Sequence, residues 1–248
     1  MYEGIMLRVG RALNAMWPNV GMKNESSRER WLKDILGKVP KNHRLLDAGA
    51  GTQRYGRYCE HLEYISQDFG EYDGRGDDVG LQPGEFDYGK LDIISDITSI
   101  PEPDSSFDAI LCVEVLEHLP NPAEAIKEFS RLLRPNGELI VTAPFCSLTH
   151  FAPYHFSSGF NKYWYEHHLD VNNFKEFAIT RNGNFFEYLS QELHRVTSVS
   201  KRYSESKPNL LEYISLLVLQ RMLLRFSKKD SGSSELLCFG YHIHARKG

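Results

Sequence analysis

Three groups of residues in this chain have the types and spacing to do chemistry. The first lies in Arg44–Gly56, Arg-Leu-Leu-Asp-Ala-Gly-Ala-Gly-Thr-Gln-Arg-Tyr-Gly, where the apolar pair Leu45-Leu46 reaches Asp47 and then Gly49, Ala50 and Gly51. Glycine has no Cβ and tolerates positive φ, so the backbone can turn tightly there and come close to a ligand. Composition predicts a helix after Thr52, over Tyr55–Glu60, whose positive end would join the turn amides in holding an electron-rich group. The second is Asp68, which closes the run Tyr64-Ile65-Ser66-Gln67-Asp68 and lies 17 positions after Gly51. An acid at about that distance, on a second strand, meets a ribose in nucleotide-binding α/β folds. A carboxylate suits that task because its oxygens can accept from both hydroxyls. A strand-end aspartate entering a turn has the same appearance. The third group is the histidines His118, His150 and His155, whose side chains titrate near neutrality and can carry protons.

The elements that must position these groups follow in order. A helix is predicted from Ser26-Ser27, with Trp31, Leu32, Ile35 and Leu36 at helical spacing up to Gly37. The glycine unit and the second strand come next. Gly70–Gly89, rich in glycine and aspartate, reads as a long solvated loop, and its aspartates do not fit a calcium-loop pattern. Leu91–Ile94 is a short third strand. Phe107–Val113, bounded by turn residues, is a buried fourth strand. Asn121 and Pro122 open a helix to Leu133, and Glu138–Ala143 is a fifth strand stopped by Pro144. Strands alternating with helices argue for a parallel sheet covered on both faces. Ligands bind such sheets at the strands' carboxyl ends. Asp47, Gly49, Asp68, Asp96, Glu114 and Phe145 should therefore share one rim.

Taken together, these segments resemble the class I S-adenosylmethionine-dependent methyltransferases, in their small-molecule, type 11-like group. Asp47-Ala48-Gly49-Ala50-Gly51-Thr52 matches the glycine motif and Asp68 the ribose-binding acid. Ser95-Asp96-Ile97, with Ser106-Phe107-Asp108 after a proline turn, matches the adenine segment. Val113-Glu114-Val115-Leu116-Glu117-His118-Leu119 resembles the motif after the fourth strand, and Leu132–Leu139 the turn into the fifth. The match covers about residues 32–144. Further on, Asn161–Leu169 and Phe185–Val196 are expected helices, Pro208–Phe226 a longer one, Phe174–Arg181 a sixth strand and Leu237–Ala245 a reversed last strand.

The resemblance implies a Rossmann-like, doubly wound α/β fold: a seven-stranded, mostly parallel sheet in the order 3-2-1-4-5-7-6, with helices on both faces. It implies an arm at 1–24 and one methyltransferase domain at 25–248, with a loop inserted near 70–89 and a helical addition near 185–230. It implies S-adenosylmethionine as cofactor and S-adenosylhomocysteine as product. Gly49, Ala50 and Gly51 would pass close to the methionine part and the adenosine, with Asp47 near the amino group. Asp68 would bind ribose, Phe69 would lie beside adenine, and Asp96 and Ile97 would contact the base. Val113 and Glu114 would lie at the ligand's amino end, although Glu114 could equally cap the next turn. Methyl transfer is an in-line displacement that needs alignment, exclusion of water and, for a hydroxyl acceptor, a base. His118 is the leading base, with His150 and His155 in an aromatic acceptor wall, Phe145–Phe160. The spacing of His150, His155 and Glu166 demands no metal.

Composition bounds the partners. A net charge of −4 offers no general basic field for nucleic acid. The Asn/Asp-Pro-Pro-Tyr motif of many nucleobase methylators is also absent after the fourth strand. Cys59, Cys112, Cys146 and Cys238 are too dispersed for a zinc site or a disulfide framework, which suits a reducing, cytoplasmic setting. Met1–Pro18 lacks a continuous apolar core, and no stretch is long enough to span a membrane. The expected partners are a small-molecule acceptor and a second copy of the chain. The rivals are a catalytically silent cofactor-binding partner protein and a protein or nucleic-acid methyltransferase. A nicotinamide-dinucleotide enzyme ranks third, because Arg54 stands where its third glycine belongs.

Overall fold

The computed structural model describes residues 18–248, so the expected arm at 1–24 lies outside the described residues up to residue 17. The strands are β1 (Arg44–Ala48), β2 (Glu63–Asp68), β3 (Ile93–Ile94), β4 (Phe107–Val113), β5 (Leu133–Pro144), β6 (Phe174–Asn182) and β7 (Gly240–Lys247). They form one sheet in the order β3-β2-β1-β4-β5-β7-β6. β1 pairs in parallel with β2 and β4, and β7 runs antiparallel to both β5 and β6. The order and the reversed last strand agree with the expectation. Winding changes direction between β1 and β4, so the carboxyl ends of these two strands border the crevice where such sheets take ligands.

Five α-helices lie among the described residues: α1 (Asn24–Leu36), α2 (Pro122–Leu132), α3 (Lys162–Val171), α4 (Phe185–Tyr203) and α5 (Leu210–Ser227). Side chains alternate along β4, so the sheet has two buried faces. Ala109 and Leu111 join Leu32 and Leu36 of α1, Val39, Leu45, Cys59 and Ile140 in one buried cluster. Ile110 and Cys112, one residue out of phase, are buried on the other face. There Tyr165 of α3 meets Tyr241 of β7, with ring centroids 5.9 Å apart.

Local chemistry sets the helix ends. Pro122 starts α2 at a position that needs no N–H donor. Its apolar residues Ala125, Ile126, Phe129 and Leu132 then repeat at helical spacing and are buried. Asn121 precedes it as expected, but its side chain makes no cap bond. Asn161 does cap α3, its Oδ1 accepting the Trp164 N–H at 3.1 Å.

The chain forms two compact units. One is Ser27–Asn182 with Gly240–Gly248, which holds the sheet; the other is Gly183–Phe239 with the segment up to Ser26. In the second unit, α5 begins with a capping box in which Glu212 N–H donates to Asn209 Oδ1 and Asn209 N–H donates to Glu212 Oε2. A buried polar seam joins α4 to α5. The Ser190 hydroxyl donates to Val20 O at 2.8 Å, and Gln220 Nε2 donates to Ser190 O at 2.9 Å.

Several expectations are corrected. The segment after the glycine turn is only a 3-10 turn, Gly56–Tyr58, not a helix over Tyr55–Glu60. β3 is reduced to two residues, and α4 runs on to Tyr203. The 70–89 loop is mostly exposed, as expected, but it is tied down at points. Leu81 N–H donates to Thr149 O and Phe151 N–H to Leu81 O, which ties the loop to the segment after β5. Tyr72, buried in it, lies 4.7 Å from the Phe151 ring.

Candidate cofactor and acceptor site

At the carboxyl end of β1 the chain turns through Gly49, with φ +75°, and Gly51, with φ +51°. A Cβ on Gly49 would stand 2.5 Å from Val115 Cγ2, so glycine is required there by a neighbouring side chain as well as by φ. The turn is fastened to β2. The N–H groups of Gly49 and Ala50 both donate to Gln67 O, and Gly51 N–H donates to Asp68 Oδ2 at 2.8 Å. The buried Gln67 side chain extends the frame by donating from Nε2 to Ser95 O at 2.7 Å. Glycine turn, second-strand acid and Ser95-Asp96-Ile97 segment are thus one hydrogen-bonded unit.

The predicted cofactor residues divide by environment. Asp68 is 6% exposed and also accepts from Gly70 N–H, at 3.3 Å. Burial raises its pKa against the lowering effect of these amide bonds. Phe69 beside it is 37% exposed and meets Tyr154 edge-on at 5.1 Å. Ile97 is buried, whereas Asp96 is exposed and accepts from both the N–H and the hydroxyl of Thr98 at 2.8 Å. Asp96 is therefore a turn aspartate in its local bonding. Asp47 is 2% exposed and takes the Tyr64 hydroxyl at 2.6 Å, so it braces the turn from the core side. Burial pushes its pKa up to about 7, with the Asp68 charge adding to the rise and the Tyr64 bond opposing it.

Val113 ends β4 half-buried. Glu114 follows at φ +55° with its carboxylate already matched: Arg28 Nη1 lies 2.8 Å from Oε2, and the Thr142 hydroxyl donates to Oε1 at 2.9 Å. These contacts fix the carboxylate that was expected at the ligand's amino end. Arg28 had no signal in the sequence, because its partner is remote along the chain.

The structure gathers the three predicted histidines. Ring centroids of His118 and His150 are 4.7 Å apart, those of His150 and His155 4.9 Å, and those of His118 and His155 6.0 Å. Burial, then His150, lowers the His118 pKa to about 4, and burial also lowers that of His155, so both rings are neutral near pH 7. Phe151 connects this cluster to the inserted loop: its ring lies 5.2 Å from His118 and 5.7 Å from Phe86. Phe86 in turn rests over Gly51, where a Cβ would come within 3.2 Å of its ring. The aromatic wall expected from Phe145–Phe160 alone is thus built by two segments. The carboxylate of Glu117 also enters the cluster; the sequence reading passed over it, though Glu-Val-Leu-Glu-His was its signal. Glu166 is elsewhere engaged, 3.1 Å from Lys162 Nζ.

These residues fit a nucleoside ligand. Asp68 presents two carboxylate oxygens, each holding one backbone N–H, with lone pairs left for a diol. The partly exposed Phe69 ring stands beside it as an apolar face for a base. A sheet of this order with this rim defines the class I S-adenosylmethionine-dependent methyltransferase fold. A family model described as a methyltransferase domain matches residues 46–141.

A methyltransferase from Archaeoglobus fulgidus, named as S-adenosylmethionine-dependent, superposes with a TM-score of 0.54 at 18% identity, over 90% of this chain and 94% of that one. Phosphoethanolamine N-methyltransferase 2 of Haemonchus contortus, solved with S-adenosylhomocysteine, gives a TM-score of 0.50 at 15% identity, over 89% of this chain and 52% of its own. The ubiquinone biosynthesis O-methyltransferase of Xylella fastidiosa strain M23 is 41% identical over 64 residues, 25% of each chain. The chain thus spans about a quarter of the length of such curated relatives.

Proposed function

We propose that this protein methylates a hydroxyl oxygen of a small-molecule acceptor. The observation that carries the reading is the gathering of His118, His150 and His155 beside the glycine turn and Asp68. When bound, S-adenosylmethionine supplies a methyl group activated by its sulfonium. Asp68 holds the ribose end, and the turn at Gly49–Gly51 gives the backbone a close approach. Asp96, exposed, and Ile97, buried, stand on the adenine side, with Phe69. The aromatics Tyr72, Phe86, Phe151 and Tyr154 exclude water from the acceptor side. A hydroxyl must lose its proton as it gains a methyl group, and a neutral imidazole nitrogen can accept it. Similarity to an enzyme named as an O-methyltransferase supports oxygen as the acceptor atom, over the short stretch aligned.

A panel of catechols, sugar diols and amines, with S-adenosylhomocysteine formation as readout, tests the reading. Turnover should require a hydroxylated acceptor, and His155→Ala should lower kcat at least tenfold while leaving cofactor affinity unchanged. Turnover with amines only would overturn the choice of oxygen. The expected cytoplasmic setting and homodimer belong to the same proposal, and sedimentation velocity tests the dimer. No helix among the described residues is long and apolar enough to cross a membrane.

A further inference from the structure

The Glu117 carboxyl is 1% exposed, and neither of its oxygens has a hydrogen-bond partner. A buried carboxyl is costly unless a proton or a cation compensates it. Two imidazole nitrogens face it: His118 Nε2 lies 3.8 Å and His150 Nε2 4.0 Å from Oε1. Both rings are held in the same sense. His118 Nδ1 is 2.5 Å from Tyr154 O, and His150 Nδ1 is 2.8 Å from Leu148 O.

A carbonyl oxygen only accepts, so each Nδ1 carries the hydrogen, and in the neutral ring each Nε2 carries a lone pair. Lone pairs from one carboxylate and two imidazoles therefore converge. A single proton on Glu117 could serve only one of the imidazoles, and both distances exceed hydrogen-bond range. A backbone carbonyl on the far nitrogen is also the device that orients imidazoles as metal ligands.

We infer that Glu117, His118 and His150 bind a divalent first-row transition-metal ion. One donor atom from each lies within 4.8 Å of the others. Donors at about 2.1 Å from a tetrahedral ion stand about 3.4 Å apart, so small side-chain rotations would close the set. Two imidazoles favour an ion of the zinc, cobalt or nickel kind over magnesium or calcium, which take oxygen donors. Glu114 is not part of the set, because Arg28 and Thr142 hold its oxygens. Sequence spacing pointed to no metal, since His150 joins the other two only through the fold.

Three protein ligands leave a position open. That position is assigned to an acceptor hydroxyl, a step that rests on the proposed function. A metal-bound hydroxyl loses its proton more readily. His155, hydrogen-bonded to Ser147 Oγ at 3.2 Å, is the neighbouring imidazole that can receive it.

The test is titration of chelator-treated full-length protein with cobalt(II) chloride, followed by visible absorption. One ion per chain should bind with the d–d bands of a nitrogen–oxygen site. Glu117→Gln is close in shape to the protonated acid, so it should remain folded and bind cobalt at least tenfold more weakly; His150→Ala should do the same. Equal affinity in wild type and both variants, or no uptake by wild type, overturns the metal site. Calorimetric binding of S-adenosylmethionine to the same samples is a separate readout: its presence without cobalt uptake sinks the metal site alone, and its absence from wild type sinks the proposed function.

Discussion

Asp47 and Asp68 stand at the ends of adjacent strands, yet their surroundings give them different work. Asp68 holds amides of the turn and keeps lone pairs toward the rim, whereas Asp47 is closed in behind the turn on Tyr64. Burial raises the folded-state pKa of Asp47 from 3.8 to about 7, so between these values the folded chain binds more protons than the unfolded chain. Stability therefore falls as pH rises through that window and levels off above it. Asp47→Asn removes this dependence and keeps an oxygen for the Tyr64 hydroxyl. Urea unfolding of both proteins from pH 4 to pH 8 should show the difference moving in favour of the variant by as much as about 4 kcal/mol, most of it by pH 7. A pH-independent difference would remove Asp47 as the titrating group. Asp68 and the glycines were legible in the sequence because strand, turn and spacing are local. Arg28 and Glu117 were not read, because each acquires its meaning from residues that only the fold brings near.

At the scale of elements, the strands and core helices were readable from period and boundary residues. Phe107–Val113 is β4 as read, since a buried central strand leaves a continuous apolar run. The exposure of the 70–89 loop was readable, but its anchoring was not. Its glycines and aspartates signal solvent, while its ordering aromatics follow no period: Tyr72 and Phe86 find Phe151 and Tyr154 from another segment, and Tyr88 packs on Phe86. The helix expected after the glycine turn is missing as well. Gln53 turns at φ +55° and donates from Nε2 to Tyr88 O at 2.7 Å, so this stretch anchors the loop. Phe86→Ala should loosen that cover. Limited proteolysis should cut the variant within 70–89 several times faster than wild type, with urea stability lowered by about 1–3 kcal/mol. Equal cutting rates would mean that the aromatic contacts do not hold the loop.

At the scale of the whole molecule, the sheet order places the glycine turn, Asp68 and the histidine cluster beyond strand ends that a reversal of winding brings together. The second unit, Gly183–Phe239 with the segment up to Ser26, contributes none of these residues. The central claim is that this rim binds S-adenosylmethionine through Asp68. Calorimetric titration of wild type and Asp68→Ala with S-adenosylmethionine, and with NAD as control, tests it most directly. The account predicts one S-adenosylmethionine per chain with micromolar affinity, no heat with NAD, and about 10- to 100-fold weaker binding by the variant, the scale of losing hydrogen bonds to a charged group. Binding of NAD instead, or S-adenosylmethionine affinity unchanged by Asp68→Ala, would contradict it.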